Sequence, residues 1–208
     1  MEAANEKQWR NFWQSLGAQG DPAPPWQRLH SAYTEAGRSY HNLQHIDHCL
    51  TEFAGVRNLA EDAGAIEAAI WFHDVIYDTR GKDNEERSAD VAVSVLTTAG
   101  LPEAFRQGVG ALILTTKHNQ PPTNKDAALL VDIDLSILGQ SSERYADFER
   151  QIRSEYAWVS QSDFAVGRAA ILKSFLGRKN IFVNEQFARR YEQQARDNIA
   201  WALDRLVG

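Results

Sequence analysis

The spacing of apolar residues is the feature that most restricts the fold of this chain. Apolar residues recur every three or four positions, as at Trp9, Phe12 and Leu16, which is the spacing of one face of a helix. No segment alternates apolar and polar residues for long; Val131-Asp132-Ile133-Asp134 comes nearest, but it lies inside a helical pattern. The sequence therefore predicts an all-α fold, a single compact bundle of many helices.

Glycine, proline and polar loop residues set the bounds of the predicted helices. After a first helix around Trp9, the predicted ranges are about 26–35, 42–56, 63–77, 85–99, 102–116, 126–138, 141–159, 163–176 and 184–207. Gly139 is expected to end the helix over 126–138. We predict one domain over residues 1–208, in which helices in 141–208 pack on a core at about 26–140, because 208 residues suit one domain.

Charge and cysteine content narrow the class of protein. The formal net charge is -6, whereas a protein that binds a nucleic acid polymer usually has a basic excess, so no such partner is expected. The single cysteine, Cys49, cannot form an internal disulfide, which suits a reducing compartment. No apolar stretch approaches the roughly 20 residues that span a bilayer, and the polar residues 1–6 lack a signal-peptide core. We expect a cytoplasmic protein with no membrane partner.

Residue types that bind metals are concentrated in four segments. In chain order these contain His41 and His45, then His73 and Asp74, then His118, then Asp132 and Asp134. His41 and His45 are four positions apart, so on a helix they would share a face. A carboxylate in apolar surroundings is unfavourable unless it is paired or bound to a metal, and Asp74 and Asp134 both lie in apolar helical sequence. Imidazole and carboxylate together suit Mn, Fe, Ni, Co or Zn, and less obviously Mg.

Each segment alone also has an ordinary structural explanation. A histidine pair four positions apart is often part of a solvated helix face. Asp132 or Asp134 can serve as a buried helix cap or an ion-pair partner. The order of the four segments within one helical chain is what favours a metal site.

The order His, then His-Asp, then Asp, each on a separate predicted helix, resembles the HD-domain superfamily of metal-dependent phosphohydrolases. The residues around these positions are also similar to a bacterial branch of predicted HD phosphohydrolases. The resemblance covers about residues 40–139. The segments that carry it are Tyr40-His41-Asn42-Leu43-Gln44-His45-Ile46, Trp71-Phe72-His73-Asp74-Val75-Ile76-Tyr77, Asn84-Glu85-Glu86-Arg87-Ser88-Ala89 and Asp132-Ile133-Asp134-Leu135-Ser136-Ile137-Leu138-Gly139. An HD-domain-like helical bundle is the fold that this implies.

The resemblance implies a divalent metal ion as cofactor. Its implied ligands are His73, Asp74, Asp134 and one histidine of the first segment, His45 or His41, of which His45 fits the family pattern better. His41 is then either a neighbour that supports the ligands or a contact to the substrate phosphate, and Asp132 is the alternative to Asp134. If two ions bind, His41 and His118 are the residues expected to hold the second.

The resemblance further implies hydrolysis of a nucleotide or small phosphomonoester by a metal-activated water. Asp74 would orient that water, and Glu85 or Glu86 would protonate the leaving group. The residues expected to bind the substrate are His118, Lys117, Arg80 and Lys82. The expected partner is a small phosphorylated molecule. A homodimer is also compatible with the sequence, because the aromatic helices at the two ends of the chain could pack either in the core or against a second subunit.

Two other classes of function fit the same residues. One is an oxidative di-iron enzyme of the same fold, for which His41 and His118 are the discriminating residues. The other is a non-catalytic ligand-binding module that keeps the metal for stability. Serine-nucleophile and ATP-driven chemistry are poorly supported, because the sequence has neither a Gly-x-Ser-x-Gly elbow nor a Walker-type loop.

Overall fold

A computed structural model describes residues 4–207 and confirms the all-α prediction, since the described residues contain no strand. The α-helices are α1 (Glu6–Ser15), α2 (Ala23–Tyr33), α3 (Leu43–Val56), α4 (Ala63–Phe72), α5 (Asn84–Thr98), α6 (Glu103–Thr115), α7 (Lys125–Leu135), α8 (Ser142–Glu155), α9 (Gln161–Leu176) and α10 (Glu185–Val207). Short 3-10 helices span Arg57–Leu59 and Ser136–Gly139. None of the helices described is both long and apolar enough to cross a membrane. Residues 1–3 of the polar segment 1–6 lie outside the described residues.

The chain divides into two compact units, Met1–Ile133 and Asp134–Gly208. The first unit contains α1 to α6 and most of α7, and the second contains α8 to α10. A single domain over 1–208 with a core at 26–140 stays a prediction.

Helix α4, which leads into the His-Asp pair, is shorter than predicted. The predicted range 63–77 is wrong at its end, because α4 stops at Phe72. Beyond it, the backbone carbonyls of Asp74 and Val75 accept hydrogen bonds from the Arg38 guanidinium at 2.5 and 3.1 Å. Val75 is still buried, so the apolar pattern continues past the point where the helix ends.

A cluster of aromatic rings holds the end of α4 in the core of the first unit. Trp71 and Phe72 are buried, and the Trp9 ring lies 5.6 and 5.8 Å from them, edge-on in both cases. Trp26 approaches Trp71 from α2 at 6.3 Å. Edge-to-face pairs at these separations are favourable and restrict ring rotation. The backbone directly before His73 is therefore tightly packed.

In the second unit, Gly139 has a different role from the one predicted. The helix predicted over 126–138 ends earlier, at Leu135, and Gly139 closes the 3-10 helix that follows. Its φ is not positive, so the turn itself does not require glycine. A Cβ atom at Gly139 would instead lie 2.8 Å from the backbone oxygen and 2.9 Å from the Cα of Tyr191 on α10. Glycine is needed because two backbones approach closely.

We expect Gly139→Ala to lower the free energy of unfolding by about 1–3 kcal/mol, because the added methyl group must displace backbone. Urea unfolding followed by circular dichroism measures this. Gly108→Ala on α6 is the matched control, since its Cβ would meet nothing within 4 Å; there we expect a gain of roughly 0.5–1 kcal/mol. Equal stability of Gly139→Ala and wild type would contradict the close contact.

Candidate metal centre

Three potential ligand atoms from two segments of the first unit converge. His45 Nε2 lies 3.1 Å from His73 Nε2 and 3.5 Å from Asp74 Oδ2, and His73 Nε2 lies 3.1 Å from the same carboxylate oxygen. Both histidines are buried, whereas the Asp74 side chain is 18% exposed. Within residues 4–133, this is the only group of three His, Cys, Asp or Glu side chains with ligand atoms this close. These residues can hold a metal ion.

The separations fit one divalent ion. Ligand atoms that each lie ~2.1 Å from an ion are ~3.0 Å apart at a right angle and ~3.4 Å apart at the tetrahedral angle. The observed separations of 3.1, 3.1 and 3.5 Å lie within about 0.1 Å of that range.

The last turn of α4 determines which nitrogen of His73 is available to a metal. His73 Nδ1 lies 2.9 Å from the carbonyl oxygen of Ile70. A carbonyl only accepts, so Nδ1 carries the proton and donates, and Nε2 directs its lone pair towards His45 and Asp74. Bonds of this kind orient metal-binding histidines and fix their tautomer. Two ring nitrogens and a carboxylate at this distance need a proton or a cation between them.

His45 is positioned by the start of α3. The Asn42 side chain caps this helix by accepting a hydrogen bond from Gln44 N at 2.8 Å, and His45 follows in the first turn. Its ring lies 4.8 Å from the Tyr40 ring, and Cys49 Sγ lies 3.8 Å from both of its nitrogens. Packing on both sides restricts the orientation of the ring.

His41 does not share a helix face with His45, because α3 begins only at Leu43. The expectation from four-residue spacing is wrong in this respect. The two rings are nevertheless 5.9 Å apart, and His41 stacks on Tyr77 with ring centroids 4.0 Å apart. His41 therefore lies next to His45 from the segment before α3, and not from the same face of one helix as predicted.

The histidines determine the charge state of Asp74. Burial by itself raises the pKa of the Asp74 carboxyl, but when the histidines are protonated, the charges of His73, His41 and His45 and a hydrogen bond from His73 together outweigh it. The net effect holds the pKa of Asp74 well below its usual range. Asp74 is thus an ionised carboxylate at neutral pH, the state that binds a cation.

Arg38 is a residue of this site that the metal-ligand pattern did not identify. Its side chain is 4% exposed, and its guanidinium donates to the carbonyl of Asp74 at 2.5 Å and to that of His41 at 3.4 Å. The guanidinium carbon lies 5.5 Å from the Tyr33 ring and 5.6 Å from the Tyr77 ring. Arg38 thus ties the segment before α3 to the segment after α4. Its only sequence signal is its place three residues before His41.

The loop that follows the His-Asp pair is held by two residues of the segment that begins α5. Ser88 Oγ accepts a hydrogen bond from Ile76 N at 3.1 Å and lies 3.3 Å from the Ile76 carbonyl, to which it donates. Asn84 makes a reciprocal pair with the backbone of Asp78, at 2.9 and 3.1 Å. Ser88 and Asn84, which belong to the segment 84–89 of the resemblance, therefore have a structural role.

The predicted catalytic acids and phosphate-binding cations contact one another. Lys117 Nζ forms an ion pair with Glu86, lies 3.9 Å from Glu85 and 3.4 Å from the carbonyl of Lys82. The hydrogen bond from Lys117 lowers the pKa of the Glu86 carboxyl. The Arg80 side chain is exposed in the loop before them. Roles for these residues towards a substrate stay predictions.

The acids of α7 differ in their surroundings. Asp126 accepts hydrogen bonds from two backbone N–H groups just before α4, both at 2.8 Å, and so has a structural role. Asp132 is fully buried in the first unit, and Asp134 is the partly exposed first residue of the second unit. His118 lies in the turn after α6 with a φ of 55°. Metal binding by Asp132, Asp134 or His118 stays a prediction.

Comparisons with models of protein families, with curated proteins and with solved structures gave no match to this chain. The resemblance to the HD-domain superfamily therefore depends on the motif residues alone.

We expect the purified protein, incubated with Mn, Fe, Co, Ni or Zn and then desalted, to retain metal near one ion per chain. His73→Gln should lose it, because one of three converging ligand atoms is removed. Elemental analysis of both proteins measures this. His30→Gln, which changes an exposed histidine on α2, should retain the metal. Equal metal content in wild type and His73→Gln would exclude a site at these residues.

Arg38→Lys should weaken metal binding by about 10- to 100-fold, the effect typical of residues that orient ligands. A lysine ammonium lacks the planar fork that reaches two carbonyls at once. Competition with a chromophoric chelator measures the affinity. The control Arg57→Lys changes an arginine that is 47% exposed and paired with Glu67, and should bind normally. Unchanged affinity in Arg38→Lys with unchanged thermal stability would remove Arg38 from the site.

Proposed function

We propose that this protein is a metal-dependent phosphohydrolase that acts on a nucleotide or another small phosphomonoester. The observation that carries the proposal is the convergence of His45 Nε2, His73 Nε2 and Asp74 Oδ2 within 3.5 Å. Two buried neutral ligands and one partly exposed carboxylate favour a centre that meets a water molecule and a substrate. The motif resemblance supports phosphate esters as the substrate class.

Imidazole and carboxylate ligands fit Mn, Fe, Ni, Co or Zn better than Mg. An ion at this centre would lower the pKa of a water molecule and polarise a phosphoryl oxygen. We retain Asp134 as the further ligand expected from α7, with Asp132 as its alternative. A carboxylate from either position would add negative charge to a centre in which Asp74 supplies one charge.

In the proposed hydrolysis, each site residue of the first unit has a separate role. Asp74 stays ionised and holds the attacking water by accepting a hydrogen bond from it. As metal ligands, His73 and His45 would be neutral, and the bond of His73 to Ile70 would keep its ring oriented. Water adds to phosphorus, the ester P–O bond breaks, and the leaving oxygen takes up a proton to give an alcohol and inorganic phosphate. His41, beside Asp74, would contact the substrate phosphate.

Protonation of the leaving group needs an acid that Asp74 cannot supply, since its pKa lies well below the usual range. Of the two glutamates at the start of α5, Glu86 is the weaker candidate, because Lys117 lowers its pKa. Glu85 lies farther from Lys117, at 3.9 Å, and is the better candidate. Lys117 would be released towards a phosphate only by breaking its pair with Glu86.

The di-iron alternative is less well supported by the contacts. It requires His41 and His118 as ligands, and within residues 4–133 neither belongs to a close group of three ligand atoms. The stacking of His41 on Tyr77 also gives its ring a packing role.

We expect the metal-loaded protein to release inorganic phosphate from a panel of nucleotides, sugar phosphates and p-nitrophenyl phosphate. Asp74→Asn should lower kcat by at least about 100-fold on any active substrate, because it removes a ligand and the acceptor that orients water. A phosphate-release assay at pH 7 measures both. Asp90→Asn, an exposed change on α5, is the control and should leave the rate unchanged.

The metal content of each sample separates the causes of a negative result. A loaded wild type that releases phosphate from no member of the panel would exclude the proposed activity and favour a binding module. Two tightly bound irons with the absorbance of an oxo-bridged pair would instead favour the di-iron enzyme.

A further inference from the structure

A large cavity in the second unit is lined by residues of α8, α9 and α10. Its volume is about 1260 Å³, whereas cavities that bind small molecules usually measure roughly 300–1000 Å³. All of its lining residues lie within the second unit, so it is separate from the ligand residues His45, His73 and Asp74. The cavity is large enough to hold a small organic molecule.

One part of the lining is apolar and aromatic. Trp201 on α10 is 40% exposed, and Phe164 on α9 is only half-buried. The apolar lining residues are Ala146, Phe164, Ala165, Trp201, Ala202 and Leu206. Aromatic side chains that line a concave surface, with small residues beside them, are typical of a cavity that takes an apolar group of a ligand.

The other part of the lining is basic. Three arginines and one glutamate contribute to it: Arg150, Arg153, Arg205 and Glu149. Arg150 forms an ion pair with Asp147, and Glu149 forms one with Arg168, and neither of these partners lines the cavity. The two remaining arginines therefore give the cavity an excess of positive charge, although the chain as a whole has a net charge of -6.

Neither Arg153 nor Arg205 has a carboxylate partner within residues 4–207. The guanidinium carbon of Arg153 lies 4.8 Å from the centre of the Phe164 ring, and that of Arg205 lies 4.5 Å from the centre of the Trp201 ring. A ring contact of this kind orients a guanidinium without using its N–H groups. Arg153 donates to two backbone carbonyls, which leaves further N–H groups of its five available, and Arg205 has all five.

We propose that this cavity binds a small aromatic anion. The acidic group, a carboxylate, sulfate or phosphate, is bound by Arg153 and Arg205, because a guanidinium matches the paired oxygens of such a group. The flat apolar part lies against the apolar lining around Trp201. A neutral molecule would leave the two arginines without a counter-charge, and a wholly polar anion would leave the apolar lining in contact with water.

The composition of the lining indicates binding rather than catalysis. The lining residues include no histidine, cysteine or lysine, and their one carboxylate, that of Glu149, is bound by Arg168 at 2.7 and 3.1 Å. No group is thus placed to act as a nucleophile or a general base. The site is additional to the metal centre, and the proposal does not depend on the activity proposed for that centre.

Isothermal titration calorimetry of the full chain with naphthalene sulfonate tests the proposal. We expect one molecule to bind per chain, with a dissociation constant below about 1 mM. Arg205→Gln should raise the dissociation constant at least about tenfold, because it removes a charge-assisted contact. Arg189→Gln is the matched control, since Arg189 is a 77% exposed arginine of the same helix that pairs with Glu185, and its affinity should be unchanged. Ala165→Phe should abolish binding by filling the cavity.

Arg205→Gln is the decisive variant, because Arg205 makes no hydrogen bond to the backbone. Arg153→Gln should weaken binding to a similar extent, but it also removes the bonds to the carbonyls of Tyr156 and Val159. Circular dichroism of each variant separates loss of folding from loss of binding. The neutral analogue naphthalene methanol should bind at least about tenfold more weakly than the sulfonate.

Three results would overturn the proposal. The first is a wild type that binds no naphthalene sulfonate at millimolar concentration, and the second is equal affinity for the neutral analogue. The third is unchanged affinity in Arg205→Gln. Because the probe contains no phosphorus, the proposed hydrolysis cannot consume it, and His73→Gln should bind it as wild type does. Loss of binding in His73→Gln, with Arg205→Gln unaffected, would place the anion at the metal centre instead.

Discussion

A guanidinium that is almost removed from water is stable only when its N–H groups are bonded. Arg38 meets this condition by donating to the carbonyls of Asp74 and Val75, which follow His73 beyond the end of α4. The same interaction therefore holds the backbone that follows α4 beside the segment that precedes α3.

The aromatic core provides the rigid base for this arrangement. Trp71 and Phe72 are buried against Trp9 immediately before His73, and the Tyr33 hydroxyl donates to the Trp71 carbonyl at 2.9 Å. Packing at this density gives a side chain few alternative positions. The core that stabilises the first unit thus also positions a histidine whose tautomer is already fixed by Ile70.

Electrostatics in the centre depend on the balance between burial and neighbouring charge. Burial alone would favour a neutral Asp74, but three protonated histidines around it reverse the direction of the pKa shift. When the imidazoles are neutral, the carboxylate leaves a negative charge at this spacing that a divalent ion would compensate.

The sequence by itself determined the helical class, most helix positions and the segments rich in metal ligands, because apolar periodicity and residue type are local properties. Residue type made His45, His73 and Asp74 candidates, and the resemblance to the HD-domain superfamily implied them as ligands. Only the tertiary structure decided that α4 ends at Phe72 and that Arg38 belongs to the site, because Arg38 and Asp74 are 36 positions apart. Likewise, the need for glycine at position 139 comes from a backbone on α10. Such contacts join segments that are distant in the chain, and no pattern within one segment encodes them.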